Sequence, residues 1–378
     1  MFDRKRQLVS LTTIVATLSI CAVLVAEEAK STTPVTAVVA EAGGEGQEDA
    51  AKAKTQEQLV AELKRANPEF DGQLNVKLNK EGGIIDVKFD EKGSVADLTP
   101  LKGLPLGGLK LPACKKIVDL SPLSGMPLKR LYMAGTGVTD LTPLKGLPLV
   151  SLVISSEVSD LGPLKGMRLE DFGGMHNKVL SDLAPLKDMS LSSLRLYDCS
   201  KVKDITPLRN AKLKTINIER TSVADLSPLR GQPLKEANLC SGLIADISPL
   251  EGMSPRYIDL TCNKNIKDIS VVKDMKDLED LRLDDTGISD LSPIKGMEKL
   301  RVLSILRCPN ITDLSVIKDM NIEAFVFDPT KFSQEQIAII RSMKSLKWVS
   351  NSWNQWNNGY SYNKQPLFPF TAEDFWKR

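Results

Sequence analysis

The chain has 378 residues, with 50 Lys+Arg against 48 Asp+Glu, one histidine, six cysteines and 5% aromatic residues. A net charge of +2 gives no electrostatic footprint for a phosphate backbone, which excludes nucleic acid as an expected partner. His176 alone cannot supply a multi-histidine metal site, and it offers one candidate at most for a histidine-assisted nucleophile.

Arg4, Lys5 and Arg6 precede an uncharged stretch from Leu8 to Ala26. Residues 1–26 therefore read as a signal peptide, with the uncleaved anchor as the open alternative because the stretch is nearly long enough to span a bilayer. A lipidated Cys21 is disfavoured, since Ile20 stands where a small residue is wanted. The expectation is an exported chain, periplasmic, cell-envelope or extracellular, that meets a membrane only through this segment if it is retained. Residues 27–54 are rich in Ala, Glu, Thr and Gly without apolar periodicity and read as a disordered linker.

Residues 55–92 read as an N-terminal cap. Thr55 to Asn67 has Leu59, Leu63 and Ala66 on one helical side and is stopped by Pro68. Leu74, Val76 and Leu78, then Ile85, Val87 and Phe89, alternate on either side of Glu81-Gly82-Gly83, a hairpin pattern.

From 93 to 320 the sequence repeats. Asp97, Asp119, Asp140, Asp160, Asp182, Asp204, Asp225, Asp246, Asp268, Asp290 and Asp313 recur at intervals of 20 to 23 residues, a solenoid period. Leu or Ile follows each Asp, and nine of the eleven have Pro three residues on, usually after Ser or Thr. Ser/Thr-Pro reads as an N-cap and first helical position. Six residues after each Asp stands Gly, Asn or Asp, which tolerate a positive φ and should end the helical turn. Runs such as Leu131-Tyr132-Met133 and Leu281-Arg282-Leu283 read as strands with the leucine side buried. Eleven units of strand, corner and helical turn build a parallel-sheet horseshoe.

This pattern resembles the leucine-rich repeat, LxxLxLxx(N/T/C)xxIxDLxPLxxL, of the internalin-like bacterial subclass. The resemblance implies an α/β fold: a leucine-rich-repeat solenoid with a parallel concave sheet and short helical or 3-10 turns on the convex side, capped at both ends. It also implies that Cys114, Thr136, Asn177, Cys199, Thr221, Asn263, Thr286 and Cys308 point inward and bond loop backbone, with Glu157 and Gly242 as departures. Those three cysteines become buried, inert thiols, and five cysteines outside the leader are not a disulfide framework. The segment Leu63 to Gly72 and the ending Phe375-Trp376-Lys377-Arg378 resemble the leucine-rich tails of bacterial receptor-like serine/threonine kinases. Asp171-Phe172-Gly173 spells a kinase magnesium motif, but the phosphate loop, the strand lysine and the HRD loop are missing and the triplet falls on a repeat strand.

Residues 321–378 hold 12 of the 19 aromatics and read as a C-terminal cap, with Ser333 and Gln336 as a capping box opening a helix to Met343 and a strand over Leu346–Val349. A stacking shelf of Trp353, Trp356, Tyr360 and Tyr362 is the sharper alternative.

No catalytic, cofactor or metal site is expected: the aspartates suit backbone capping better than calcium, which takes six to eight oxygens at one site. The expected function is recognition of a protein or peptide by a monomer through the concave face. The residues expected to bind are Tyr132, Arg195, Tyr197, Asn217, Glu219, Arg220, Tyr257, Asp259, Arg282 and Asp284, since Tyr and Arg are enriched in binding hot spots. Lys110, Arg130, Asp171, Met175, Asp285 and Arg307 complete that face. A structural envelope protein and an accessory of a kinase pathway are the alternatives. On this strand phase Leu281 is core and Arg282 is solvent-facing, so Arg282→Ala is expected to be near neutral for stability.

Overall fold

Each repeat gives only three residues to a strand, because the chain must turn twice within about 22 residues. The computed structural model describes residues 54–351 and 371–377; the predicted leader, nearly all of the linker and the Trp353–Tyr362 shelf lie outside the described residues. Strands β1 (Leu74–Leu78) and β2 (Ile84–Phe89) form an antiparallel hairpin, and β2 starts a parallel series in strict chain order. The series runs through β3 (Gly108–Lys110), β4 (Arg130–Tyr132), β5 (Ser151–Val153), β6 (Asp171–Gly173), β7 (Ser193–Arg195) and β8 (Thr215–Asn217). It continues through β9 (Glu236–Asn238), β10 (Tyr257–Asp259), β11 (Asp280–Arg282), β12 (Val302–Ser304), β13 (Ala324–Val326) and β14 (Trp348–Ser350), giving one 14-stranded sheet. The central residue of each repeat strand enters the core, as with Leu131, Phe172, Leu194, Ile216, Leu281 and Phe325. This is the leucine-rich-repeat solenoid, and the Asp171-Phe172-Gly173 triplet is simply β6.

The aspartate of every repeat is the cap. In all eleven, Oδ1 accepts the N–H two residues on at 2.7–2.8 Å, as in Asp97 with Thr99 and Asp313 with Ser315. The Ser/Thr-Pro reading is off by one position: Ser121, for example, is the first residue of its 3-10 turn and Pro122 the second. Its hydroxyl caps nothing; it donates to Asp119 Oδ2 at 2.8 Å, and Ser227, Ser248, Ser270, Ser292 and Ser315 do the same to their own aspartates. A short side chain bonding locally competes with helix, which suits a turn of three residues.

The corner after the turn comes in two forms. Lys102 (φ −55°, ψ 130°) and Gly103 (φ 78°) make a type II turn closed by Leu104 N–H to Leu101 O at 3.1 Å, and Asp188 takes φ 66° in the same role without glycine. Asp274 lacks the expected positive φ because its 3-10 turn runs on to five residues, Ser270–Asp274, and takes it in. Asn210 and Asp319 do not adopt the expected positive φ either. Arg209 and Lys318 before them are right-handed, so these corners are type I turns, for which no left-handed residue is needed.

The inward ladder forms as expected. Thr136, Thr221 and Thr286 donate to the carbonyls three residues back, and Cys199 and Cys308 Sγ donate to Gly174 O and Leu283 O. Asn177 donates to Ser155 O and Val158 O of the preceding repeat, Asn263 donates to Leu239 O of the preceding repeat and Leu260 O of its own, and each accepts two N–H groups. At the Glu157 and Gly242 departures, Ser155 and Ser241 take over, donating to Val138 O and Val223 O. Burial pushes the Cys114 and Cys308 thiols up to about 11 and Cys199 to about 12, which leaves them protonated and unreactive.

Before the hairpin, helix α1 (Gln56–Ala66) opens with a full capping box between Thr55 and Gln58 and buries Leu59 and Leu63. Asn67 seats it: the carboxamide is buried, accepts Ala96 and Asp97 N–H, and donates to Asp97 O. A register shift at Lys77/Leu78 buries Ile84 in place of the expected Ile85 and leaves Leu78 exposed. Helix α2 (Gln334–Ser342) is capped by Ser333, but the expected box is half made, because Gln336 Oε1 instead accepts Leu314 N–H at 2.6 Å and ties the helix to the last repeat. The final strand lies over Trp348–Ser350, two residues later than its expected start. Residues 54–351 belong to one compact unit; Ala372–Trp376, in a second unit, form a short helix α3 capped by Thr371. Among the described residues no helix is long and apolar enough to cross a membrane.

Candidate recognition surface

Residues flanking each buried strand centre project from the outer face of the sheet. The parallel register stacks them in rows: Arg195 beside Asn217, Asn217 beside Asn238, Asp259 beside Arg282. Two residues past each strand a further row holds Tyr197, Glu219 and Asp284, and the residue after is often left-handed: His176, Asp198, Arg220, Cys262, Asp285 and Arg307 have φ between 55° and 69°. Two pairs of neighbours in this column meet. His176 Nδ1 lies 3.2 Å from Asp198 Oδ2, and Arg307 Nε donates to Asp285 at 2.9 Å.

The ten expected residues fall into two clusters and an outlier. Tyr132 on β4 is separated from Arg195 by Val153 and Gly173, about 14 Å at the usual strand spacing, so it joins neither. The first cluster spans β6–β9. Arg195 donates to Asp171 at 2.9 Å, and Ser151 donates to the same carboxylate oxygen. Arg220 Nη1 donates to Tyr197 Oη at 3.0 Å with its guanidinium 5.6 Å from the ring centroid, and His176 meets that ring edge-on at 4.8 Å. Asn238 donates to Glu219 Oε2 at 3.1 Å, and Asn217 Oδ1 accepts Glu219 N–H. Burial, reinforced by the charge of Asp259, raises Glu219 to about 7 despite Arg220. Asp198 is also pushed up by burial, but donation from Lys178 and His176 outweighs this and holds it below the usual carboxylate value.

The second cluster, on β10–β12, is internal, which corrects the reading of Arg282. Its side chain is 11% exposed, is held by Asp280 through two hydrogen bonds of 3.1 and 3.3 Å, and lies 5.0 Å from the Tyr257 ring centroid. Asp259 and Asp284 are likewise buried. Ser304 Oγ and Leu306 N–H both donate to Asp284 Oδ1, yet burial still raises its carboxyl to about 7. Burial also raises Asp280, whereas the surrounding carboxylates hold Arg282 firmly protonated against the same desolvation. An arginine that sits between two aspartates on adjacent strands is enclosed by them; no periodicity in one strand reveals this. Further along, the outward positions Val302, Ser304, Ala324, Val326 and Ser350 are buried too. Of the two clusters the accessible one is therefore that on β6–β9, and it includes His176 and Asp198, which were not among the ten expected residues although Arg220, in the same column, was.

No protein-family model matches the chain, and no curated protein matches it in sequence. Among solved structures, an internalin (inlF) from Listeria monocytogenes is 22% identical, over 78% of this chain and 87% of that one, with a TM-score of 0.53. A leucine-rich-repeat protein of Leptospira interrogans is 15% identical over 71% and 89% (TM-score 0.44). The functional domain of InlJ from Listeria monocytogenes, which includes a cysteine ladder, is 15% identical over 75% and 72% (TM-score 0.40). With its single parallel sheet, 3-10 turns and inward Asn/Thr/Cys ladder, the chain has the bacterial leucine-rich-repeat fold found in internalins.

Proposed function

We propose that the protein is an exported, non-enzymatic recognition module that binds a protein or peptide through the outer, concave face of its sheet, centred on Tyr197 and Arg220. The basic-then-apolar opening of the chain supports export. The observation that carries the recognition reading is the joined Tyr197–Arg220–His176 group. Arg220 is 59% exposed on its side chain yet is positioned by a phenol hydroxyl and a ring, so little rotamer freedom is lost when a partner engages it. Tyr and Arg held in this way are the side chains that most often dominate an interface. Glu219, Asn217 and Asn238 beside them add carboxylate and carboxamide groups for main-chain contacts.

The test is affinity capture from the envelope fraction of the source cell, followed by calorimetric titration of the captured protein against wild type and a Tyr197→Ala/Arg220→Ala variant. Both residues lie outside the core, so the variant should fold normally by circular dichroism. A loss of about 2 kcal/mol or more in binding is expected. Equal affinity of the two forms would exclude this patch as the site.

A further inference from the structure

Cys240 and Cys262 stand outside the inward ladder, on adjacent repeats, at the edge of the Glu219–Arg220 region. The path of the eighth repeat brings them together. After β9 the chain folds back at Cys240, with Ser241 N–H donating to Leu239 O at 2.7 Å, and the left-handed position passes to Gly242 (φ 82°). In the next repeat Cys262 itself is left-handed (φ 69°), its N–H donating to Asp284 O at 2.8 Å. The β9–β10 register, extended from Asn238 opposite Asp259, sets Cys240 opposite Thr261 and one residue short of Cys262. One strand spacing and one residue rise give a diagonal of about 5.8 Å, inside the range of about 4.4–6.8 Å between Cα atoms that a disulfide spans. The two thiols interact with one another, and both are free.

We propose that Cys240 and Cys262 are a reversible dithiol–disulfide pair that cross-links the eighth and ninth repeats beside the recognition surface. Cys262 is the entry point, since it is partly exposed whereas Cys240 is buried. The neighbouring Cys240 thiol lowers the Cys262 pKa, favouring the nucleophilic thiolate there, while Cys262 and burial push Cys240 up so that it stays protonated until the exchange begins. With a small-molecule disulfide RSSR as oxidant, the Cys262 thiolate attacks one sulfur, forms a mixed disulfide and expels RS⁻, which takes up a proton. Cys240 then loses its proton and attacks Cys262 Sγ, releasing the second RSH. The balance is two protein thiols and RSSR giving one protein disulfide and two RSH. Cys114, Cys199 and Cys308, buried in the ladder and donating to carbonyls, take no part.

The experiment equilibrates the folded full chain with oxidised glutathione, alkylates remaining thiols and digests with trypsin without reductant. Cleavage after Lys235, Arg256 and Lys264 leaves the two cysteines on separate peptides, so a bond between them appears as a linked pair of residues 236–256 with 257–264 that reductant separates. That linked pair should be the dominant oxidised species. Cys240→Ser should leave a glutathione adduct on Cys262, and Cys262→Ser should leave Cys240 reduced. Alkylation of both cysteines after oxidation, or a stable Cys262 adduct in the wild type, would overturn the proposal.

Discussion

Leu281 and Arg282 are consecutive on β11 and face opposite sides of the sheet, yet both are enclosed. Leu281 is in the core, where truncation to alanine removes buried methyl groups and leaves a cavity, at a cost of about 2–5 kcal/mol. Arg282 is enclosed by Asp280, Asp259 and the Tyr257 ring. Arg282→Ala leaves those carboxylates buried without their cation, and breaking such a pair from one side costs about 3–5 kcal/mol. Urea titration of the two variants should therefore give losses of similar size. A change under about 0.5 kcal/mol for Arg282→Ala, the usual value for surface substitutions, would mean that the arginine faces solvent after all. Leu281 as core was legible from the alternation. The enclosure of Arg282 was not, because it depends on charges two residues away on its own strand and on the neighbouring repeat.

At the scale of one repeat, the corner after the 3-10 turn separates conformational from packing effects. At Gly146 (φ 77°) a Cβ would meet nothing within 4 Å, so the side chain has room and only the backbone objects. Gly146→Ala should cost about 1–2 kcal/mol, the left-handed penalty for an L residue. Gly146→Asn should cost less, because asparagine tolerates that region better. Denaturant midpoints of the two variants check the order; equal midpoints would show that the corner relaxes to the type I form found at Asn210 and Asp319. The aspartate that opens the same element was readable from sequence, since its bond to the N–H two residues on is entirely local. Which of the two corner types follows was not, because Gly, Asn and Asp fit more than one.

Over the whole molecule, two populations of carboxylates set opposite pH limits. Asp119, Asp140, Asp204, Asp246, Asp290 and Asp313 are held below the usual value by hydrogen bonds from the Ser or Thr two residues on. Their folded pKa is lower than in the unfolded chain, so their stabilisation is complete above the ordinary value of 3.8 and is lost as pH falls below it. Glu219 and Asp284 are raised to about 7, so their contribution is complete below the ordinary values of 4.5 and 3.8 and is lost as pH rises to about 7. Stability should peak between about pH 4 and 5 and fall by several kcal/mol toward pH 8. Asp284→Asn keeps an oxygen for the Ser304 and Leu306 donors and removes the charge, so it should flatten the alkaline side only. Urea titrations across this pH span test both statements, and a wild-type protein as stable at pH 8 as at pH 5 would contradict them.

The sequence by itself determined what repeats and what is local: the period, the capping aspartates and the buried face of each strand. These features rest on bonds within a few residues, or on an apolar period that every repeat restates, and they suffice for a leucine-rich-repeat solenoid. Only the tertiary structure decided what lies beside what across a full repeat. It joined Tyr197 to Arg220 and His176, enclosed Arg282 and Asp284, shifted the hairpin register to bury Ile84, and brought Cys240 to Cys262. The reason is geometric: in a parallel stack each side chain meets a neighbour about 22 residues away, and a one-residue change in the path of a single repeat moves that neighbour without altering the pattern that a reader of the sequence can see.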